Sequence, residues 1–183
     1  MNRRFISIKH LLLPLAAGIF FFGCGNNYPL LETVDSVDIG RYLGRWYEIS
    51  HLPNRFQKGC HCSMAEYELI DSTTIRVINS CRKDSADGEQ DDAKGKAFVV
   101  EGSNNSKLKV QFFWPFKGDY WILALDKENY NYAMVGTPSR EYLWILSRTP
   151  ALSDSIYSSL IKQAEDKGFD TSNLIITDQS CYK

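Results

Sequence analysis

Histidine is scarce in this 183-residue chain, with three in all. Neither His51 nor His61, the two beyond the N-terminal segment, lies in a nucleophile motif that pairs Ser, Cys or Thr with a base. The chain has no nucleotide-binding glycine loop and no EF-hand ligand spacing. An excess of charge is missing too: the formal net charge is −1, and no basic stripe or basic helix offers a surface to nucleic acid. Internal repeats are absent, and so are the long crossover segments that a parallel sheet needs. The longest apolar run, residues 11–22, is too short to span a bilayer comfortably. These absences argue against a nucleotide enzyme, a calcium sensor, a nucleic-acid binder and a doubly wound fold.

What is present is a hydrophobic content of 44% with 13% aromatics, enough for one full core. Arg3, Arg4 and Lys9 precede the apolar run, which ends at Phe21-Phe22-Gly23-Cys24. A basic start, an apolar centre and a small residue before cysteine read as an export signal over residues 1–23. The last four residues resemble the lipobox of bacterial lipoproteins, with Phe21 and Phe22 as departures from the usual pattern. That resemblance implies acylation of Cys24 and anchorage to a membrane in the cell envelope, at the outer membrane. Residues 24–36, small and polar at first, are expected to be a tether.

The rest reads as short alternating runs between turn residues. Strands are expected at 46–51, 64–70, 74–80, 96–101, 107–114, 120–125, 132–136 and 142–147, with an acidic exposed loop at 82–94. A single amphipathic helix follows: Ser153 is placed to cap it, Gly168 to end it, and Ile156, Leu160 and Ala164 share a face. Residues 174–177 form a short last strand. Eight consecutive antiparallel strands lose their edges by closing into an up-and-down β-barrel, with the helix packed outside. Periodicity alone does not separate that all-β barrel from a sandwich.

The motifs separate them. Residues 38–49, with Gly44-Arg45-Trp46 at their centre, resemble the first signature of the lipocalin family; residues 130–138 resemble its middle signature, and Tyr142 to Arg148 its late-strand motif. The likeness spans residues 37–183 and is strongest toward bacterial outer-membrane lipocalins and apolipoprotein D. It implies that Gly44, Trp46 and Arg148 close one end of the barrel, the guanidinium laid over the indole. Period-two alternation then puts Glu48 and Ser50 on the Trp46 face, Phe112 with Trp114, Tyr120 with Ile122 and Ala124, Tyr67 with Ala65 and Leu69, and Asn79 with Val77. Tyr142 and Trp144 share the face of Arg148. Tyr67, Asn79, Phe112, Trp114, Tyr120, Tyr142 and Trp144 are thus the candidate lining of a ligand cup, Tyr67, Asn79, Phe112 and Trp144 by the resemblance. The alternative is that these aromatics fill a solid barrel. Arg82 and Lys83, near the expected rim, are either a carboxylate or phosphate attractor or solvated loop charges.

Four cysteines remain after cleavage, an even set suited to two disulfides in an exported protein. The resemblance pairs Cys62 with Cys181 and leaves Cys60 for Cys81. A metal site at Cys60-His61-Cys62 is not expected, because on a strand His61 points away from both sulfurs. No cofactor is expected. The reading is a membrane-anchored carrier or store for a small lipid-like ligand, a fatty acid or lysophospholipid above others. A haem or bilin carrier is the alternative ligand class, and an isomerase on the same barrel the alternative function class.

Overall fold

In the computed structural model, residues 28–182 are described. The export signal and Cys24 lie outside the described residues. A four-residue helix α1 (Ile39–Tyr42) precedes eight strands: β1 (Gly44–His51), β2 (Cys60–Leu69), β3 (Thr74–Lys83), β4 (Gln90–Val99), β5 (Lys107–Phe113), β6 (Phe116–Leu125), β7 (Tyr132–Gly136) and β8 (Leu143–Ser147). Helix α2 (Asp154–Asp166) and a two-residue β9 (Ile175–Ile176) complete the chain. From β1 to β8 each strand pairs antiparallel with the next, and β1 also pairs with β8, so the sheet closes on itself; β9 pairs with the end of β1.

The two faces of the sheet explain the strand compositions. Inward residues form one core around Trp46, Tyr67, Val77, Ile122 and Leu146. On the outside of β1, β6, β7 and β8 a second core of Ile49, Leu123, Met134 and Ile145 is covered by Leu160 and Ala164 of α2. Those strands are apolar on both faces because both are covered. Among the described residues no α-helix covers strands β2 to β5, which carry exposed or half-exposed charges outward, such as Glu68, Arg76, Lys94 and Lys96. Ser153 holds the N-cap position of α2 without a side-chain capping hydrogen bond, while Gly168 ends the helix at φ +85°.

Three expectations need correction. The acidic stretch 82–94 is mostly strand: only residues 84–89 are loop, and β4 begins at Gln90. Its first inward residues, Asp91 and Ala93, are exposed, so this end of β4 carries no apolar alternation for a sequence pattern to register. The tether also ends sooner than expected. Leu31 is buried in the outer core, and Arg140 donates to the Pro29 carbonyl at 2.6 Å, so residues 29–36 are strapped to the barrel. Finally, register shifts break the period of two in four strand pairings, and two of them reverse expected faces. One between Glu48 and Ser50 turns Ser50 outward, where it accepts from the Tyr157 hydroxyl, and brings His51 in; the other, between Ile122 and Ala124, turns Ala124 outward.

Candidate functional site

The barrel has a closed and an open end, and the closed end is built from the signature residues. Gly44 takes φ +85°, a region that disfavours any side chain. It lets the chain turn from α1 into β1 and bring Trp46 under the barrel. The indole is fully buried and donates to the Tyr42 carbonyl at 2.8 Å. Arg148 lies over it, with its guanidinium carbon 3.8 Å from the ring centroid. The same guanidinium donates to the carbonyls of Arg45 (2.7 Å), Arg41 (2.7 Å) and Tyr130 (3.2 Å). One planar fork thus ties α1, β1 and the β6–β7 turn around the indole.

Above the indole three tyrosines make the floor. The Tyr120 hydroxyl is 2.9 Å from those of both Tyr42 and Tyr67. Burial pushes the Tyr67 phenol up to about 12 and raises Tyr42 and Tyr120 well above the usual tyrosine value. The floor is therefore neutral and hydroxylic at any physiological pH. Leu69 continues past the floor and is half-exposed outside the closed end.

Up the walls the inward side chains change from buried to exposed. On β3, Ile75 and Val77 are 3% exposed, while Asn79, next on the same face, is exposed. On β4, Ala97 is buried and Ala93 exposed; Phe112 on β5 and Trp144 on β8 are partly exposed. Phe112 lies flat on the wall because Gly95 opposite has no side chain: a Cβ there would sit 2.8 Å from the phenyl ring. Trp144 stacks on Tyr142 at 5.9 Å, and Tyr142 faces Phe56 of the β1–β2 loop at 6.1 Å. Trp114, by contrast, is outside the cup. It leaves the strand in the β5–β6 turn after a register shift past Val110 and is 86% exposed. The structure thus brings Tyr67, Asn79, Phe112, Tyr120 and Trp144 to one inward face and sets Tyr142 and Trp114 on its rim.

A polar seam runs up one wall. Glu48 pairs with His51 at 2.9 Å and accepts from Thr177 Oγ1 at 2.6 Å and from the Gln57 amide. Gln57 Oε1 in turn accepts from the Trp144 indole N–H at 2.8 Å. Thr177 belongs to the C-terminal segment, which fills the gap where β1 and β2 diverge. Gln179 donates to the Glu48 carbonyl (2.6 Å) on one side and to the Ser63 carbonyl (2.8 Å) on the other. Cys62, at φ 54°, turns its N–H away from β1 and donates to Asp178 at 2.7 Å. Disulfides Cys62–Cys181 and Cys60–Cys81 hold that tail and the open ends of β2 and β3. Thr177 and Gln179 carried no sequence signal, since they reach Glu48 from 129 and 131 residues away, and His51 and Gln57 gain their roles from a bulge and a loop that bring them to Glu48. Tyr42 sits in the signature itself, and only α1 turns its ring onto Trp46 and Tyr67. Arg82 and Lys83 are at the open end, occupied by carbonyls of the adjoining loops: Arg82 donates to Gly88 and Lys83 to Lys58.

Comparison with known proteins agrees with this geometry. The family model described as a lipocalin-like domain matches residues 37–179. Outer membrane lipoprotein Blc of Vibrio cholerae is 38% identical over 165 residues, covering 90% of this chain and 96% of that protein. Apolipoprotein D of Mus musculus is 35% identical over 184 residues, covering 93% and 94%. Among solved structures, insecticyanin from the tobacco hornworm Manduca sexta superposes with a TM-score of 0.67 at 22% identity, covering 85% of this chain and 89% of that one. With a closed eight-stranded barrel, an indole and guanidinium at its base and these relatives along nearly its whole length, the chain belongs to the lipocalin family.

Proposed function

We propose that this chain is an outer-membrane lipoprotein, anchored through Cys24, whose cup takes up a fatty acid or lysophospholipid. The observation that supports it is the exposure gradient on the inward face. The inward faces of β3 and β4 are buried at Ile75, Val77 and Ala97 and exposed at Asn79 and Ala93 nearer the mouth, which is the gradient expected of a cup that opens there. Its apolar wall suits an acyl chain: ten buried methylenes give ~8 kcal/mol gross, and ordering and association costs reduce this to roughly micromolar affinity or somewhat tighter. The names of the bacterial relatives support the placement in the envelope. Carriage rather than catalysis is the economical reading, because Glu48 and His51 are spent holding Gln57 and the tail.

The test is a titration of the purified protein with a fluorescent fatty acid, competed by unlabelled fatty acid and by lysophosphatidylethanolamine, with haem added in parallel. Saturable signal displaced by both lipids is the expected result. A Soret shift with haem and no lipid displacement would replace the lipid reading with a tetrapyrrole one.

A further inference from the structure

Among the described residues, a cluster of highly exposed aromatic side chains sits at the mouth of the barrel, and the N-terminal strap meets the barrel at the same end. The β5–β6 turn presents Phe113 (77% exposed), Trp114 (86%) and Phe116 (77%) as a bare tip. Going round the rim in sheet order, the next two loops add Tyr142, from the β7–β8 loop, and Phe56, from the β1–β2 loop. The fourth loop, between β3 and β4, is of opposite character: Asp84, Asp87 and Glu89 are exposed there, with Asp91 and Asp92 just beyond. Exposed Arg55, Lys58 and Lys117 all lie on the aromatic sector. One exposed carboxylate, Glu141, lies among them, so the rim has an aromatic arc over three loops with a positive balance of charge, and a fourth loop that is mainly acidic.

The N-terminal strap fixes where an anchor must be. Residues 34 and 37 hydrogen-bond toward the closed end, to Ile122 and Asn104, so the chain runs along the barrel from mouth to base. Its upper part, Tyr28 to Leu31, is held at the mouth by the β7–β8 loop: Arg140 stacks against Tyr28 at 5.1 Å and donates to Pro29, and Leu30 is left exposed. Cys24 precedes Tyr28 by four residues, which reach at most about 14 Å when fully extended. An acyl anchor at Cys24 is therefore tethered within that reach of Tyr28, which sits beside the mouth.

We propose that the aromatic arc of the open rim is a bilayer-docking surface: the anchor draws the mouth onto the membrane, Phe113, Trp114 and Phe116 seat in the interfacial layer, and lipid passes between leaflet and cup without crossing bulk water. The inference rests on the lipid-carrier reading and on acylation of Cys24. Its physics is independent of the cup. Bare aromatic rings beside lysines gain by entering the headgroup layer, where ring faces meet acyl chains and polar edges stay wet. An apolar patch of this size is otherwise a liability on a monomer, and the acidic loop explains a tilted seating with the β3–β4 side lifted off the lipid.

The experiment uses the mature acylated protein in vesicles of phosphatidylethanolamine and phosphatidylglycerol whose acyl chains carry bromine, which quenches tryptophan at short range. Trp114 is one of four tryptophans, so Trp114→Phe, which keeps a ring, identifies its share of the signal. Bromolipid is expected to quench the wild-type protein, with most of the quenched component lost in Trp114→Phe. In the triple variant Phe113→Ser, Trp114→Ser, Phe116→Ser, the rate of lipid uptake from vesicles is expected to fall at least tenfold, while binding of a fluorescent fatty acid in solution stays unchanged. The proposal is overturned if Trp114 is not quenched, if uptake by the triple variant equals that of wild type, or if sedimentation shows that the triple variant dissolves a dimer, which assigns the tip to a second copy of the chain. Failure of wild-type protein to bind the fluorescent fatty acid in solution overturns the carrier reading instead, and the quenching result is unaffected by it.

Discussion

Replacing Arg148 by alanine tests whether the base of the barrel is held by a planar fork or merely by a positive charge. The side chain makes three hydrogen bonds to carbonyls of Arg41, Arg45 and Tyr130 and covers the Trp46 ring. Charge-assisted bonds of this kind contribute about 1.5–3 kcal/mol each when well buried; Arg148 is only half-buried, and the three bonds share one side chain, so their joint loss is nearer the cost of one or two. With ~0.5–1 kcal/mol from the ring contact, Arg148→Ala is expected to cost about 3 kcal/mol. For a domain of this size that lowers Tm by roughly 6–12 °C. Urea unfolding monitored by tryptophan fluorescence, with disulfides intact, measures it. The informative partner is Arg148→Lys, which keeps the charge near the ring but cannot reach three carbonyls in two directions. It is expected to recover less than half of the loss. If lysine restores wild-type stability within about 0.5 kcal/mol, or alanine costs under 1 kcal/mol, the argument from fork geometry is wrong.

The floor tyrosines make stability depend on alkaline pH. Burial holds the Tyr67 phenol at about 12 in the folded protein, against about 10 in an unfolded chain, so unfolding releases a proton between those values. Stability should be full below pH 10 and fall as pH rises toward 12, with Tyr67→Phe flattening the decline; equal slopes in denaturant midpoint for the two proteins over that range would contradict the assignment. Opening Cys62–Cys181, which spans 119 residues, should cost about 5 kcal/mol, and opening Cys60–Cys81, which spans 21, about 3 kcal/mol. Guanidinium midpoints of the paired Cys→Ser variants check that order. Gly95→Val should push Phe112 off the wall into the cup, since its Cβ would stand 2.8 Å from the ring and 2.6 Å from the Gln111 carbonyl. Fatty-acid affinity is expected to fall roughly five- to tenfold, more than the loss in stability explains; an unchanged dissociation constant would place Phe112 outside the binding path.

The amino-acid sequence by itself determined an antiparallel all-β fold with one outer helix, and the resemblance of its motifs to the lipocalins supplied the closed barrel, its stopper and four residues of its lining. Alternation with a period of two, short connections and one amphipathic helix admit few folds. Gly44, Trp46 and Arg148 are readable because they stand in motifs whose order and spacing resemble the lipocalin signatures, and their chemistry suits the stopper that the resemblance implies. Tertiary structure decided everything that depends on register or on distant partners. A bulge costs one residue and leaves no mark in composition, yet it exchanges Ser50 for His51 on the inner face and removes Ala124 from it. The β5–β6 turn carries Trp114 out of the cup for the same reason, since a strand pattern does not announce where the strand stops. The tail that Gln179 stitches between β1 and β2, and the strap that Arg140 clasps at the mouth, join residues more than a hundred positions apart. Such contacts exist only once the sheet has closed and offered its wall to the tail and its β7–β8 loop to the strap.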